Sequence, residues 1–340
     1  MALSSTFSDG DDGSHESSYR VVDSFAKLEI PGSGNPAAVV MVPSTKLQSR
    51  EEEEEDVVSW MKVVAKEFNL SETAFIWPTK AGMTDGINEF HIRFYTANGT
   101  EVDLCGHATL ASAAVVFSSF MQHSTANTSL SEEVVFLAKN DILRARSYRS
   151  EGQGDDDYPQ KKSLQIVMEF PKKSVQPIAS SDDVQSIQGI LSAAFGWKMN
   201  MDTDVLFLGL EDDSADMLVH LTKDAFLKIP PTVNTAALTE WNGYNRGIIM
   251  CCDNKDDGSS DESVDFISRW FGPKVGIDED PVTGSAHCTL APYFASLKSK
   301  QEVRGEQKSS RGGIIDCVVH EDHVELIGTA KTVMSGTLYM

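Results

Sequence analysis

The spacing of apolar residues along the chain predicts a mixture of strands and helices. Two segments show the two-residue alternation of a half-buried strand, namely 88–95 with Phe90, Ile92 and Phe94, and 164–170 with Leu164, Ile166, Met168 and Phe170. Two others have helical spacing, namely 57–68 with Val57, Met61, Val64 and Phe68, and 184–195 with Val184, Ile187, Leu191 and Phe195. The second helix should end at Gly196 as its C-cap.

A third helix is expected after Gly106, and it differs from the other two. The segment ATLASAAVVF consists almost entirely of apolar or small residues, so the helix has no face for water. Such a helix is expected to lie inside a sheet. Three acidic stretches, 51–56, 151–157 and 253–262, are instead expected to be solvated loops.

Length and charge limit the classes of function. A chain of 340 residues with 41% apolar content is long enough for two domains. A formal net charge of -22 without a Lys/Arg run argues against nucleic acid and anionic membranes as partners. No apolar stretch approaches the roughly 20 residues of a membrane-spanning helix. The N-terminal residues match neither a secretory signal nor a transit peptide, so a cytoplasmic location is expected.

The sequence predicts neither a metal nor a cofactor. The five cysteines match no zinc or disulfide framework and are expected to be reduced thiols, with Cys251 and Cys252 buried in a strand. Walker-type and Rossmann fingerprints are absent. Six of the eight histidines lie outside the motifs described below, and no spacing such as H-E-x-x-H occurs among them. They are His15, His91, His123, His220, His320 and His323.

Two segments of the chain resemble each other in sequence, and this internal similarity is called the echo below. The segment from Arg93 to Ala111 resembles the segment from Ser268 to Ala291. Each has an arginine followed by two aromatic residues, then a loop with Gly and Asp, then His-X-Thr-Leu-Ala, and the second copy is four residues longer between these anchors. The echo predicts two halves that are built alike, each with a loop leading into a buried helix.

Gly106 and Gly284 stand at the two expected helix starts. A glycine there lets a ligand approach the backbone, and the N–H groups of the first turn form an anion site. Such sites suit a carboxylate, or the enolate formed when the carbon beside it loses a proton. Alternatively, both glycines only permit tight turns.

Four ordered motifs carry a resemblance to a known family. They are GNPAAVV (34–40), SETAF (71–75), the segment from Arg93 through CGHATLA (105–111), and DEDPVTGSAH (278–287). This set resembles the phenazine-biosynthesis PhzF-like family, from about Tyr19 to the C-terminus, with the acidic stretches as insertions. The resemblance implies an α+β, diaminopimelate-epimerase-like fold in which two similar domains each wrap a mixed sheet or barrel around a central helix.

The same resemblance implies a division of the chain and an activity. The expected halves are 19–150, completed by the C-terminal strand 329–340, and 160–328, with a flexible segment 1–18. The active site is expected in the cleft between the halves. The implied activity is a cofactor-independent isomerase or epimerase, acting as a homodimer on a small carboxylated substrate that bears an amino group.

Position by position, the resemblance assigns roles to individual residues. Glu72 is the general acid/base, and His107 and Asp280 are the other catalytic groups. The implied substrate-binding residues are Asn35 at the cleft edge, Gly106 and Gly284 as backbone donors, and Ser285.

The local sequence around each residue gives its own expectation. Glu72 lies in an apolar strand-like run, where desolvation raises the pKa of a carboxyl group. His107, at a helix start, is expected to be neutral and to act by hydrogen bonding, or to be structural. Asp280 either caps the second helix or binds a substrate amine. His287, the echo of His107, is expected to be structural.

Cys105 offers an alternative thiol base. It precedes the helix-start glycine, a place that favours a thiolate. The related diaminopimelate epimerases and proline racemases abstract with one thiol and reprotonate with another. The second thiol has no counterpart in the run from Asp280 to Gly284, and Cys288 lies a full turn inside the second helix.

The alternatives left open are an amino-acid racemase that uses Cys105 and a catalytically silent small-molecule-binding homologue. A Ser or Cys hydrolase or transferase is disfavoured because no G-x-S-x-G elbow or protease Cys signature occurs.

Overall fold

A computed structural model describes residues 16–43, 51–79, 88–123, 133–148, 164–254 and 263–339. The strands are β1 Glu16–Ser24, β2 Asn35–Met41, β3 Glu72–Pro78, β4 Asn88–Thr96, β5 Glu101–Val102, β6 Glu133–Leu137, β7 Ile142–Tyr148, β8 Gln165–Pro171, β9 Val175–Pro177, β10 Val205–Glu211, β11 Asp216–Leu221, β12 Gly247–Asp253, β13 Phe266–Phe271, β14 Glu302–Gln307, β15 Gly313–Val319 and β16 His323–Tyr339. The α-helices are α1 Glu51–Phe68, α2 Gly106–His123, α3 Ser181–Phe195, α4 Lys223–Leu227, α5 Thr235–Leu238 and α6 Gly284–Lys298.

The chain forms two compact units. Unit 1 comprises Met1–Glu169 and Ile327–Met340, and unit 2 comprises Phe170–Leu326. Each unit contains one of the two helices that the sequence predicts to be buried.

A closed barrel of eight strands forms unit 1. Its strand order is β1-β2-β3-β4-β6-β7-β8-β16, and β16 pairs with β1 to close it. Helix α2 contacts β1, β2, β3 and β7 and is buried on all sides from Ala108 to Phe117, as its apolar sequence predicts. Helix α1 packs outside through Met61 and Val64 against Val40 and Phe75.

A mixed sheet with the order β9-β10-β11-β12-β13-β14-β15 forms unit 2. The pairs β11–β12 and β13–β14 are parallel. Helices α3, α4 and α5 join the core through residues such as Leu191, Phe226 and Leu238. Helix α6 contacts β14 and β15 and buries most of its residues between Gly284 and Ala295.

The sequence patterns locate several elements correctly. Strand β4 and helices α1, α2 and α3 cover the predicted segments, and β8 begins one residue after the start of its predicted segment. Gly196 ends α3 with a left-handed φ of 75°. The expectation of a loop at 51–56 is wrong, because α1 begins at Glu51 and glutamate is a good helix former. The stretch 151–157 and most of 253–262 lie outside the described residues.

All five cysteines are buried free thiols. Among the described residues, no helix is both long and apolar enough to cross a membrane.

Candidate active site

Glu72, Cys105 and His107 come together in unit 1 at the start of α2. Glu72 is the first residue of β3, which pairs in parallel with β2 and antiparallel with β4. Gly106 begins α2, so Cys105 and His107 flank the helix start. These three residues are called the acid–base cluster below.

Short polar contacts connect the cluster. The His107 Nε2 atom lies 3.3 Å from Glu72 Oε2 and 3.4 Å from the Ser71 hydroxyl. The His107 Nδ1 atom lies 3.4 Å from the Cys105 sulfur. Glu72 itself accepts hydrogen bonds from Ser71 and Cys105. A proton can therefore be shared or passed among a carboxyl group, an imidazole and a thiol.

Burial sets the electrostatics of Glu72. Its side chain is 12% exposed, and that of His107 is 8% exposed. Desolvation raises the pKa of Glu72, and the hydrogen bonds from Ser71 and Cys105 offset part of that rise. This upward shift agrees with the pKa rise that the apolar sequence around Glu72 predicts. It brings the pKa of the carboxyl group closer to the value that a proton shuttle needs at neutral pH.

The backbone around the acid–base cluster is fixed by a hydrogen bond from Ser24 and by a close approach of chains at Gly34. The Ser24 hydroxyl, at the end of β1, donates to the His107 carbonyl at 2.7 Å. Gly34 has φ +88°, and a Cβ there would lie 2.6 Å from the Ser24 carbonyl, so only glycine fits. Asn35, which follows it at the start of β2, is fully buried, two residues before the Ala37 that pairs with Glu72.

The acid–base cluster also has the donor set of a metal site. One ligand atom from each of Glu72, Cys105 and His107 lies within 4.8 Å of the others. Zinc accepts carboxylate, thiolate and imidazole ligands. The sequence expectation that the site needs no metal stays a prediction, which removal of metal will test.

In unit 2, Asp280 lies in a hydrogen-bonded loop before α6. Its carboxylate accepts a 2.5 Å bond from the Thr283 hydroxyl. The Gln307 amide donates to the Asp280 carbonyl at 2.7 Å and accepts from the Thr283 N–H at 2.9 Å. Thr283 is the N-cap residue and its own side chain makes no capping hydrogen bond, and the capping role considered for Asp280 stays a prediction. The N–H groups of a helix start favour an anion.

Ser285, the second residue of α6, is held by an arginine that the sequence analysis missed. Arg246 donates from Nη1 to the Ser285 hydroxyl at 3.0 Å and makes a bidentate ion pair with Asp216. Asp216 is completely buried and also accepts from the Trp270 indole at 2.9 Å. Because Arg246 can only donate, the Ser285 hydroxyl accepts that bond and keeps its own hydrogen for another acceptor.

The sequence contained one signal for this network. Asp216 opens the otherwise apolar run MLVHL, and an acidic residue in such a run needs a buried partner. Nothing in the spacing indicated that the partner would be Arg246, which lies thirty residues further along.

Two residues of the echo in unit 2, His287 and Cys288, are buried with shifted pKa values. His287 is completely buried, its Nδ1 lies 2.8 Å from the Thr283 carbonyl, and burial lowers its pKa to about 4. Burial raises the pKa of the Cys288 thiol to about 12. Cys288 therefore stays protonated at neutral pH.

The arginines of the echo play matching structural roles. Arg93 on β4 makes a bidentate ion pair with Glu101, at 2.8 and 2.9 Å. Arg269 on β13 makes the same pair with Glu279, at 2.6 and 2.8 Å. Both glutamates lie five residues before a helix-start glycine, so each ion pair fixes the loop that enters a buried helix.

Comparison with known proteins agrees with this architecture. The model of the family described as phenazine biosynthesis-like protein matches residues 22–336. An uncharacterized isomerase of Halalkalibacterium halodurans is 34% identical over 94% of this chain and 97% of its own length. Phenazine biosynthesis-like domain-containing protein 1 of Mus musculus is 36% identical, over 90% of this chain and 93% of its own.

A crystal structure of an Enterococcus faecalis PhzF-family protein superposes with a TM-score of 0.69 and 30% identity, covering 96% of this chain and all of that one. These similarities and the barrel around a central helix define an isomerase-type enzyme with a PhzF-like fold. The chain belongs to the phenazine biosynthesis-like protein family.

Proposed function

We propose that the protein is a cofactor-independent isomerase or epimerase that moves a proton at a carbon next to a carboxylate of a small, amino-bearing substrate. The contact that carries the proposal is the one between Glu72 and His107, beside Cys105 at the start of α2. A buried carboxyl group with a raised pKa, next to a helix start that attracts anions, suits abstraction of a proton and stabilisation of the enolate.

In the proposed reaction Glu72 takes the proton from the substrate carbon. His107 orients the Glu72 carboxyl group, and the N–H groups of the first turn of α2 stabilise the negative charge that develops on the substrate. The protonated Glu72 then returns the proton to a different carbon, which gives an isomer. Delivery to the opposite face by a second acid such as Asp280 would give an epimer.

The unit 2 residues are proposed to bind the substrate. The N–H groups at the start of α6 and the Ser285 hydroxyl, held by Arg246, suit a carboxylate, and the Asp280 carboxylate suits an amine. A homodimer in the cytoplasm remains part of the proposal, and light scattering during size-exclusion chromatography tests the dimer.

A racemase that uses Cys105 is the second candidate, favoured by the contact of that thiol with His107. A two-thiol mechanism also needs a second cysteine, and the start of α6 does not provide one at the matching position. Thr283 precedes the glycine of α6 where Cys105 precedes that of α2, and Cys288 is buried with a raised pKa. Among the described residues, a thiol beside a helix-start glycine therefore occurs once, at Cys105, whereas this mechanism needs two thiols.

Solvent deuterium uptake tests the proposal. Purified protein is incubated in heavy water with amino acids, hydroxy acids and dihydro-hydroxyanthranilate, and each is examined by NMR. The expected result is deuterium at a carbon next to a carboxylate, with wild-type protein but not with Glu72→Gln. Equal uptake with both proteins, or none with any compound, would contradict it. Turnover should survive dialysis against a chelator, and loss that an added metal restores would overturn the claim of cofactor independence.

A further inference from the structure

The hairpin that joins β15 to β16, in unit 2, brings together side chains of types that bind metals, and none of them belongs to the acid–base cluster. The His320 N–H donates to the His323 carbonyl at 3.0 Å, which closes a two-residue turn. His320 and His323 are thus opposite each other, and Glu325 follows His323 on the same face of its strand. His320, His323 and Glu325 are called the hairpin cluster below.

The donor atoms of the hairpin cluster are close together. One ligand atom from each residue lies within 4.8 Å of the others. The His320 Nε2 atom lies 3.7 Å from Glu325 Oε2. Ligands at 2.0–2.2 Å around a tetrahedral zinc ion lie about 3.3 Å apart, so rotations of side chains alone would bring these atoms into place.

Asp322 adds an observation that points to a metal ligand. Its carboxylate lies 2.7 Å from His323 Nδ1 and accepts the proton of that nitrogen. This bond leaves His323 Nε2 as the acceptor atom. Metal-binding histidines characteristically donate their second nitrogen to a carboxylate, which fixes the tautomer and the orientation of the ring.

The turn itself is anchored. The Lys172 ammonium group donates to the carbonyls of Glu321 at 2.5 Å and His320 at 3.5 Å, and its backbone N–H donates to the Asp322 carbonyl at 3.3 Å. The two imidazole rings stack at 4.3 Å with planes 11° apart. Metal binding requires these rings to turn out of the parallel stack, because each nitrogen binds an ion in the plane of its ring.

We propose that the hairpin cluster binds one divalent transition metal ion, with His320, His323 and Glu325 as ligands and Asp322 supporting His323. Two imidazoles and a carboxylate suit Zn²⁺, Co²⁺, Ni²⁺ or Cu²⁺ rather than Mg²⁺ or Ca²⁺. His320 is 39% exposed, so water has access to a remaining coordination position. The hairpin cluster shares no residue with the acid–base cluster, and this proposal does not depend on the proposed proton-transfer chemistry.

Titration of the full-length protein, free of a polyhistidine tag, tests the site. Zn²⁺ is added during isothermal titration calorimetry and Co²⁺ during visible spectroscopy. One ion per chain should bind to this hairpin, and His320→Ala and His323→Ala should each weaken binding by at least tenfold. Asp322→Asn should weaken binding by on the order of tenfold, as expected for a group that orients a ligand.

Two control variants distinguish binding at the hairpin from a general effect of charge and from binding at the acid–base cluster. Glu321→Gln removes a charge from the same turn without removing a ligand, and should bind as the wild type does. His107→Gln disables the acid–base cluster as a metal site, and should leave the hairpin site intact. Imidazole NMR signals of His320 and His323 should shift on adding Zn²⁺. Equal binding by His323→Ala and wild type, loss of this binding in His107→Gln, or no binding at millimolar Zn²⁺ would overturn the proposal.

Discussion

The starts of α2 and α6 are built from similar sequences but place their histidines differently. In both, an Arg–Glu ion pair precedes the helix-start glycine, and the glutamate lies five residues before it. His107 is the second residue of α2, whereas His287 is the fourth residue of α6. A shift of two residues along an α-helix rotates the direction of the side chain by about 200° around the helix axis. His107 therefore reaches Glu72, and His287 points into the core of its unit.

This difference shows that an echo in sequence is not an equivalence in the helix. When the helix starts are matched instead of the histidines, Ser285 corresponds to His107 and Thr283 to Cys105. One helix start carries groups that can transfer protons, and the other carries hydroxyl groups held by Arg246 and Asp280. The comparison predicts acid–base chemistry in unit 1 and binding in unit 2.

The largest effect should come from Glu72→Gln. The variant keeps the size of the side chain but removes the transferable proton, so turnover should fall by on the order of 10²- to 10⁴-fold. Steady-state kinetics with a substrate found by deuterium uptake measures this. Near-normal turnover would exclude Glu72 as the general acid/base and would contradict the assignment of acid–base chemistry to unit 1.

The two histidines should respond in opposite ways. His107→Gln should lower turnover by on the order of 10²-fold with little change in the melting temperature, since it removes a contact to Glu72. His287→Ala should cost about 2–4 kcal/mol of stability by opening a cavity, while folded protein keeps its activity. Thermal melting and kinetics on both variants test the pair. A loss of turnover in folded His287→Ala would show that the histidines are equivalent after all.

A smaller effect is expected from Arg246→Lys. Lysine keeps the charge but cannot hold Asp216 bidentately while donating to Ser285. KM should rise by roughly tenfold while kcat changes little, because Ser285 is proposed to bind substrate. An unchanged KM together with a lowered melting temperature would contradict this prediction, because it would show that Arg246 stabilises the fold without affecting substrate binding.

The smallest effect concerns stability against pH. Burial raises the pKa of Glu72 above its ordinary 4.5, so the folded protein holds this proton more tightly than the unfolded chain does. Stability from this group is therefore lost as pH rises from the unfolded to the folded pKa. Glu72→Gln should be more stable than wild type at pH 8, with the advantage shrinking towards pH 4. An equal difference in melting temperature at both pH values would argue against the raised pKa.

Sequence patterns predict the parts of the fold whose cause is local. The apolar periodicity of 57–68 and the all-round apolar character of the segment after Gly106 define α1 and α2. The acidic run at the start of α1 is the exception, because its charge suggests a solvated loop while the helix propensity of glutamate extends the helix through it.

Long-range contacts are not visible in the sequence. Glu72 and His107 stand out as members of motifs, but their contact depends on the register of β3 in the barrel. Arg246 and Asp216 pair only because parallel pairing of β11 and β12 sets Asp216 opposite Gly247. In the hairpin cluster, the turn brings together histidines whose linear spacing matches no recognised ligand motif.

The most direct test of the account compares Glu72→Gln with Cys105→Ser in one solvent-exchange experiment. Both variants and the wild type are incubated in heavy water with the identified substrate, and deuterium at the reacting carbon is followed by NMR. The account predicts that Cys105→Ser stays within about tenfold of wild type, because serine can still donate to Glu72, while Glu72→Gln falls by on the order of 10²-fold or more. Abolished exchange in Cys105→Ser with normal exchange in Glu72→Gln would instead establish the thiol as the base and contradict the central claim.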